Sequence, residues 1–192
     1  MRKKIIASIL TVVWCFAGCV VTSVYPFYTA KDLVEFPELV GDWKSTDTTE
    51  KEVWTFSATE KARYILSINN ESKEQHDTHV FKLGAQRFLD FVPHKSEEII
   101  PPHYIAKLDL TNQVLSVVTM DYEWLAKLLE KDPKAVRHVK VPANADEFRV
   151  VLTADTAELQ AFLLKHVATE GAWPSVQTRA KIIPPTDSKP KP

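Results

Sequence analysis

Two cysteines are the residues of this chain with the greatest capacity for chemistry. Cys15 and Cys19 lie four positions apart within an apolar N-terminal run. A cysteine can act as a nucleophile, a redox partner or a point of covalent attachment. The spacing is not the Cys-x-x-Cys of thioredoxin-like redox sites, and no strand-helix pattern follows it. The residues that flank the pair therefore decide its role.

The pair His76-x-x-His79 has side chains that could bind a metal ion, and acidic residues lie close to it in the chain. A zinc site needs three or four converging ligands. On a strand, positions three apart point to opposite faces. We therefore predict that the two imidazoles diverge, and we expect neither a metal ion nor another cofactor.

Asp90 is the carboxylate that most needs an explanation, because it lies in the apolar run 88–92. A buried carboxylate must be paired or protonated, and we expect a salt bridge or a turn hydrogen bond with Arg87 or His103. A hydrolase would need His103 or His138 beside a carboxylate and a hydroxyl group. The chain contains no Gly-x-Ser-x-Gly elbow. The sequence therefore assigns no catalytic residue.

The N-terminus has the layout of a secretory signal peptide. Three basic residues at positions 2–4 precede twelve apolar residues, 5–16, and the small residues Ala17 and Gly18. The stretch Phe16-Ala17-Gly18-Cys19 resembles the bacterial lipobox, with Phe16 where leucine is usual. The resemblance implies removal of residues 1–18 and lipidation of Cys19, whose several acyl chains would anchor the protein stably.

An uncleaved membrane span is the alternative for this segment. Residues 5–25 include no charged side chain and are long enough to cross a bilayer of ~30 Å. The basic flank would then place the rest of the chain outside the cytoplasm. Val20 stands where bacterial lipoproteins retained in the inner membrane carry aspartate. The resemblance therefore implies a lipid-anchored protein of the cell envelope, in the outer membrane and facing the periplasm.

Composition excludes several classes of function. The 192 residues suit one domain with short appendages, and 45% of them are hydrophobic. The chain has 24 Lys and Arg, three of them at positions 2–4, against 25 Asp and Glu. No basic excess is left to neutralise phosphates, so we expect no nucleic-acid partner. The four glycines form no phosphate-binding loop motif.

Apolar alternation with a period of two predicts a series of strands after residue 39. The clearest runs are 52–57, 64–68, 86–92, 104–110, 113–120 and 148–152. Two helices are also predicted, one after a cap at Asp121 and one after a cap at Asp155. We therefore expect a mainly β (α+β) fold, an antiparallel barrel or sandwich with the C-terminal helix packed on it.

The same patterns predict the domain organisation. Residues 1–18 form the signal peptide, 19–38 a lipidated tether and 39–173 the β-barrel domain. Residues 174–192 contain five prolines and are predicted to form a disordered tail.

Gly41-Asp42-Trp43, at the start of the first predicted strand, resembles the Gly-x-Trp motif of lipocalins. In that family the tryptophan closes the floor of the barrel and an arginine from a late strand stacks on it. The resemblance implies these roles for Trp43 and Arg149. Aromatic residues at alternating strand positions either line a small apolar cavity or fill the barrel. These residues are Trp54, Phe56, Tyr64 and Tyr104.

The chain also resembles a set of uncharacterised bacterial lipoproteins over nearly all of its mature length. The similar stretches are 23–34, 41–43, 87–91, 101–105 and 121–125. This resemblance implies an anchor and a domain but no activity. We expect a binding or accessory module for a small apolar ligand or an envelope protein. The alternatives are a structural or assembly lipoprotein that uses only its surface, and a hydrolase.

Overall fold

The structure is a computed structural model that describes residues 20–71, 74–144, 148–174 and 176–183. The predicted signal peptide, Cys15, the predicted lipidation site Cys19 and residues 184–192 lie outside these ranges. The described strands are β1 (Thr22–Ser23), β2 (Gly41–Ser45), β3 (Val53–Glu60), β4 (Arg63–Ile68), β5 (Gln75–Leu83), β6 (Gln86–Pro93), β7 (His103–Thr111), β8 (Val114–Thr119), β9 (His138–Pro142), β10 (Phe148–Leu152) and β11 (Val176–Lys181). The helices are α1 (Tyr122–Lys131), α2 (Thr156–His166) and a 3-10 turn (Pro37–Leu39).

Eight of these strands close into an antiparallel barrel. Strands β2 to β8 follow one another around the wall in chain order, and β11 lies between β8 and β2. Closure gives each barrel strand a hydrogen-bonded neighbour on both sides. The prediction of a mainly β, lipocalin-like barrel with two helices is confirmed.

Three further strands extend from the barrel wall. Strand β1 pairs antiparallel with the first residues of β7, through Thr22 opposite Tyr104. It also pairs parallel with β10, and β10 pairs antiparallel with β9. Strand β9 therefore lies at the outer edge of this extension.

The barrel wall separates two apolar cores, because inward and outward side chains alternate along its strands. The interior core is filled by side chains from most of the barrel strands, among them Trp43, Phe56, Leu66, Leu89 and Leu108. The exterior core lies between β5–β7 and the two helices. It includes Phe81, Phe88, Ile105, Leu125, Leu159 and Phe162.

Both predicted helices are confirmed, together with their caps. The Asp121 carboxylate accepts the backbone N–H of Trp124 at 2.6 Å, and the Asp155 carboxylate accepts that of Glu158 at 3.0 Å. Such caps satisfy N–H groups that have no partner within the helix. Among the described residues, no helix has the length and apolar content needed to cross a bilayer.

The prediction of a disordered tail from residue 174 is wrong for Val176–Lys181, which form β11. Gln177, Arg179 and Lys181 occupy the positions that pair with inward-facing neighbours on β2 and β8. Apolar alternation is absent because the inward side chains of this strand are polar. The pattern that predicts the other strands therefore fails here.

The prediction of a tether over residues 19–38 is also wrong, since the chain from Val20 onward is part of the domain. Thr22 and Ser23 form β1, and Phe27 and Phe36 are buried. Burial of large apolar side chains contributes about 1.5–3 kcal/mol each. The segment packs against the barrel wall although it contains prolines.

Truncation tests the role of β11 in closing the barrel. A chain that ends at residue 174 leaves β2 and β8 with open edges, and we expect it to lose cooperative unfolding at room temperature. A chain that ends at residue 183 is the control and should melt within about 2 °C of the full domain. Circular dichroism during heating checks both. Equal melting temperatures for the two truncations would contradict a closing role for β11.

Candidate functional site

One end of the barrel is closed by the 3-10 turn and the residues around it. The indole N–H of Trp43 donates to the carbonyl of Leu39 at 2.8 Å. The backbone N–H of Phe36 donates to the Tyr64 hydroxyl at 2.8 Å. Lys181 crosses this end with its ammonium 5.2 Å from the centre of the Trp43 ring. Trp43 thus lies at the floor of the barrel, as its motif implies.

The prediction that Arg149 stacks on Trp43 is wrong. Arg149 lies in β10, opposite Val141 of β9, and its side chain is exposed outside the barrel. The prediction took β10 for the last strand of the barrel, whereas β11 is that strand. The cation nearest the Trp43 ring therefore comes from Lys181 of β11.

A second cation of β11 is buried inside the barrel. The Arg179 side chain is 3% exposed, and its guanidinium lies 3.8 Å from the centre of the Trp54 ring. The Glu52 carboxylate accepts hydrogen bonds from this guanidinium at 2.6 Å and from the Trp54 indole at 2.5 Å. Burial lowers the pKa of Arg179, and the charge of Glu52 opposes that shift. The side chains of Arg179, Glu52 and Trp54 thus form one connected group inside the barrel.

The opposite end of the barrel contains a hollow, called here the mouth. Its apolar lining consists of Trp54, Leu66, Ile68, Leu89, Phe91 and Val117. Its polar lining consists of His76, Thr78, Thr119 and Gln177. The hollow leaves about 20 Å³ open to the centres of water molecules. One water needs roughly 10–15 Å³ of such space, so the mouth accepts only a small group without movement of its walls.

The aromatic residues predicted to line a cavity are divided between the mouth and the filled core. Trp54 lines the mouth, whereas Phe56 and Tyr64 fill the interior core. Tyr104 packs on Phe91, with ring centres 5.6 Å apart. Side chains therefore occupy the interior below the mouth.

His76 gives the mouth one polar atom without a protein partner. Its Nδ1 is buried and makes no hydrogen bond, and its ring meets Phe91 edge-on at 5.8 Å. Burial lowers the pKa of His76, so the neutral imidazole predominates at pH 7. His79 lies on the outer face, stacked on Tyr28. The prediction that the two histidines diverge is confirmed.

Asp90 lies outside the barrel, beneath the N-terminal segment, and does not line the cavity. Its fully buried carboxylate contacts His103 Nδ1 at 2.8 Å and accepts the backbone N–H of Phe27 at 2.9 Å. The interpretation of Asp90 as a paired carboxylate, with His103 as a partner, is confirmed. Burial, with a smaller contribution from Asp90, raises the pKa of Tyr28 to about 12. These residues fasten the N-terminal segment to the wall.

The same region places a serine beside the pair formed by His103 and Asp90. Ser23 pairs with His103 between β1 and β7, so serine, histidine and Asp90 lie in one row. The Ser23 side chain is buried, however, and its hydroxyl accepts the N–H of Tyr25 at 3.2 Å. Within the described ranges, no three His, Cys, Asp or Glu side chains converge as metal ligands.

Sequence reasoning missed the polar residues of the mouth. Thr78, Thr119 and Gln177 occupy inward positions that the apolar pattern leaves unmarked. Gln177 lies opposite Val117 because β11 pairs with β8. The sequence alone does not show that these two strands are neighbours. Thr78 and Thr119 could have been found from the sequence. Their neighbours along the strand face the exterior core or its margin, so the two threonines must face inward.

The buried histidines predict a fall in stability on mild acidification. Burial lowers the pKa of His76, His79 and His166 in the folded protein. The unfolded chain therefore binds protons first as the pH falls through about 6.5. The free energy of unfolding should be highest above that pH and should decrease as the pH falls below it. Urea denaturation at pH 8 and pH 5.5 measures the difference.

The variant His79→Phe keeps an aromatic ring against Tyr28 but cannot titrate. It should show a smaller loss of stability between the two pH values than the parent protein. A loss equal to that of the parent would show that His79 does not contribute.

No protein-family model, curated protein or solved structure matches this chain. What the mouth can bind therefore follows from its own side chains.

Proposed function

We propose that this protein is a membrane-anchored envelope lipoprotein whose barrel mouth holds the apolar end of a ligand or of a partner protein. The observation that carries the proposal is the contrast between the two ends of the barrel. The 3-10 turn, Trp43 and Lys181 close one end. The other end keeps an apolar hollow with a few polar groups at its edge, which is typical of small-molecule sites.

The size of the hollow limits what it can hold. About 20 Å³ of water-accessible space suits a terminal group of a few carbon atoms, not an enclosed lipid. A branched apolar tip would contact Trp54 and Phe91, while the remainder of the molecule stays outside. Each buried methylene group contributes about 0.8 kcal/mol. Affinity would therefore depend on contacts at the rim as well.

The position of Val20 connects the mouth with the proposed anchor. Val20 forms a β-bridge with Asp121, which follows the mouth residue Thr119 by two positions. Consecutive Cα atoms are ~3.8 Å apart. A lipid on Cys19 would therefore hold the domain close to the bilayer without an intervening tether.

A structural or assembly role is the second candidate, and the free edge of β9 favours it. Val139 and Val141 of this strand are exposed, and β10 is its partner in the sheet. An edge strand can add a strand from another protein. This role would use the outer surface of the domain and would not require the mouth.

Filling the mouth tests the first proposal. We expect the domain 20–192 to bind a water-soluble fluorescent dye that carries an isobutyl group, which is small enough for the hollow, with a rise in fluorescence anisotropy. Thr119→Trp places a large ring in the hollow and should weaken this binding by about tenfold or more. Ser116→Trp, at an outward position of the same strand, is the matched control. Equal dye affinity for both variants would show that the dye does not bind in the mouth.

Replacing the two cysteines one at a time tests the anchor. Cys19→Ser removes the sulfur that would carry the lipid, so we expect complete loss of acyl labelling and retention of residues 1–18. Cys15→Ser is the matched control and should be labelled and cleaved like the parent. Metabolic labelling with an alkyne fatty acid and the mass of the purified protein measure both. Labelling of Cys19→Ser at the parental level would exclude the lipobox interpretation.

A further inference from the structure

The loops at the mouth carry an excess of negative charge. They are the connections that join β2 to β3, β4 to β5 and β6 to β7, of which the structure describes residues 46–52, 69–71, 74 and 94–102. Together they contain seven carboxylates and three lysines. One carboxylate, Glu52, binds Arg179 inside the barrel. The others are Asp47, Glu50, Glu71, Glu74, Glu97 and Glu98.

Two adjacent isoleucines in the last of these loops have exposed side chains. Ile99 is 100% exposed and Ile100 is 59% exposed. They follow Glu97 and Glu98 and precede two prolines, which favour an extended backbone. Single exposed apolar residues are common on protein surfaces. Two adjacent isoleucines within an acidic loop beside an apolar hollow instead form a candidate contact surface.

We infer that the mouth docks a basic polypeptide, which inserts one apolar side chain into the hollow and places its cationic residues against the acidic loops. This inference rests on the proposed function and names the partner class for the same site. The neutral hollow and the two isoleucines supply apolar contact. The carboxylates supply complementary charge, which selects basic partners and speeds their association.

The geometry favours a polypeptide over a small amine. The hollow accepts only one small group, whereas the carboxylates belong to three loops spread around the end of an eight-stranded barrel. A ligand that reaches all three loops must extend across this end. A peptide chain can do so.

The charge of the loops also decides between a polypeptide and the bilayer as the occupant. The anchor proposed at Cys19 would hold this end of the domain near a bilayer, but a negative rim is repelled from a surface that contains anionic lipids. Exposed apolar residues alone would fit either occupant. The carboxylates therefore make a basic polypeptide the favoured one.

Peptide binding to the full-length protein tests the inference. The protein is reconstituted in phosphatidylcholine nanodiscs, and three fluorescent nonapeptides are compared by anisotropy. The first has four lysines around a central leucine, the second replaces leucine by glycine, and the third replaces the lysines by glutamates. We expect the first to bind about tenfold or more tightly than the others, with loss of binding as salt rises from about 50 to 500 mM.

Charge-reversed variants locate the binding surface. Glu97→Lys combined with Glu98→Lys should weaken binding of the lysine-leucine peptide by about three- to tenfold. Glu130→Lys combined with Glu170→Lys reverses two exposed charges that lie outside the three loops and is the control. Thr119→Trp should weaken binding as well. Equal binding of all three peptides, or equal affinity of the two double variants, would overturn the inference.

Two outcomes separate the possible failures. If the dye binds in the mouth but the lysine-leucine peptide does not bind, the basic partner is excluded and the proposed function stands. If neither binds, both fail. Quenching of an Ile99→Trp variant by brominated lipid chains, beyond that of the parent protein, would place the bilayer at the mouth and would also overturn the inference.

Discussion

The closure of the barrel by β11 is the constraint on which the rest of the structure depends. This strand pairs with β2 on one side and with β8 on the other, so it joins the two ends of a meander that would otherwise be an open sheet. Its inward side chains bring two cations into contact with tryptophan rings. Arg179 contacts Trp54 and Lys181 contacts Trp43. The same strand thus closes the barrel wall and contributes a side chain to the interior near each end.

The buried guanidinium of Arg179 is stabilised by a carboxylate and a ring face, although its Nε has no hydrogen-bond partner. Removing a charge from water costs several kcal/mol unless it is paired and hydrogen-bonded. Arg179 has the Glu52 carboxylate at 2.6 Å and the face of Trp54 at 3.8 Å. Glu52 also accepts the Trp54 indole N–H. These contacts fix the orientation of Trp54, which forms part of the mouth, so the polar group below the hollow shapes its apolar lining.

The sequence predicts those parts of the fold in which the inward side chains are apolar. Tyr64, Leu66 and Ile68 alternate with outward residues and lie in β4, and the caps at Asp121 and Asp155 mark the two helices correctly. The pattern fails where polar side chains face inward, as in β11. It also fails for residues 20–38, where prolines suggest a free tether but Phe27 is buried against the wall. The site was only partly predictable, because the mouth depends on which strands become neighbours.

The distribution of polarity inside the barrel explains why one end stays open. Trp43, Leu39 and Phe36 are large and apolar, and they fill the closed end. Toward the mouth, inward positions change to Thr78, Thr119 and Gln177. Thr119 and Gln177 stay partly exposed there, and the buried Thr78 hydroxyl donates to the carbonyl of His76 at 3.3 Å. Deeper in the barrel each polar side chain would need such a protein partner. A mouth of this kind holds a molecule that inserts an apolar tip while its remainder stays in water, which is the form of a side chain on a polypeptide.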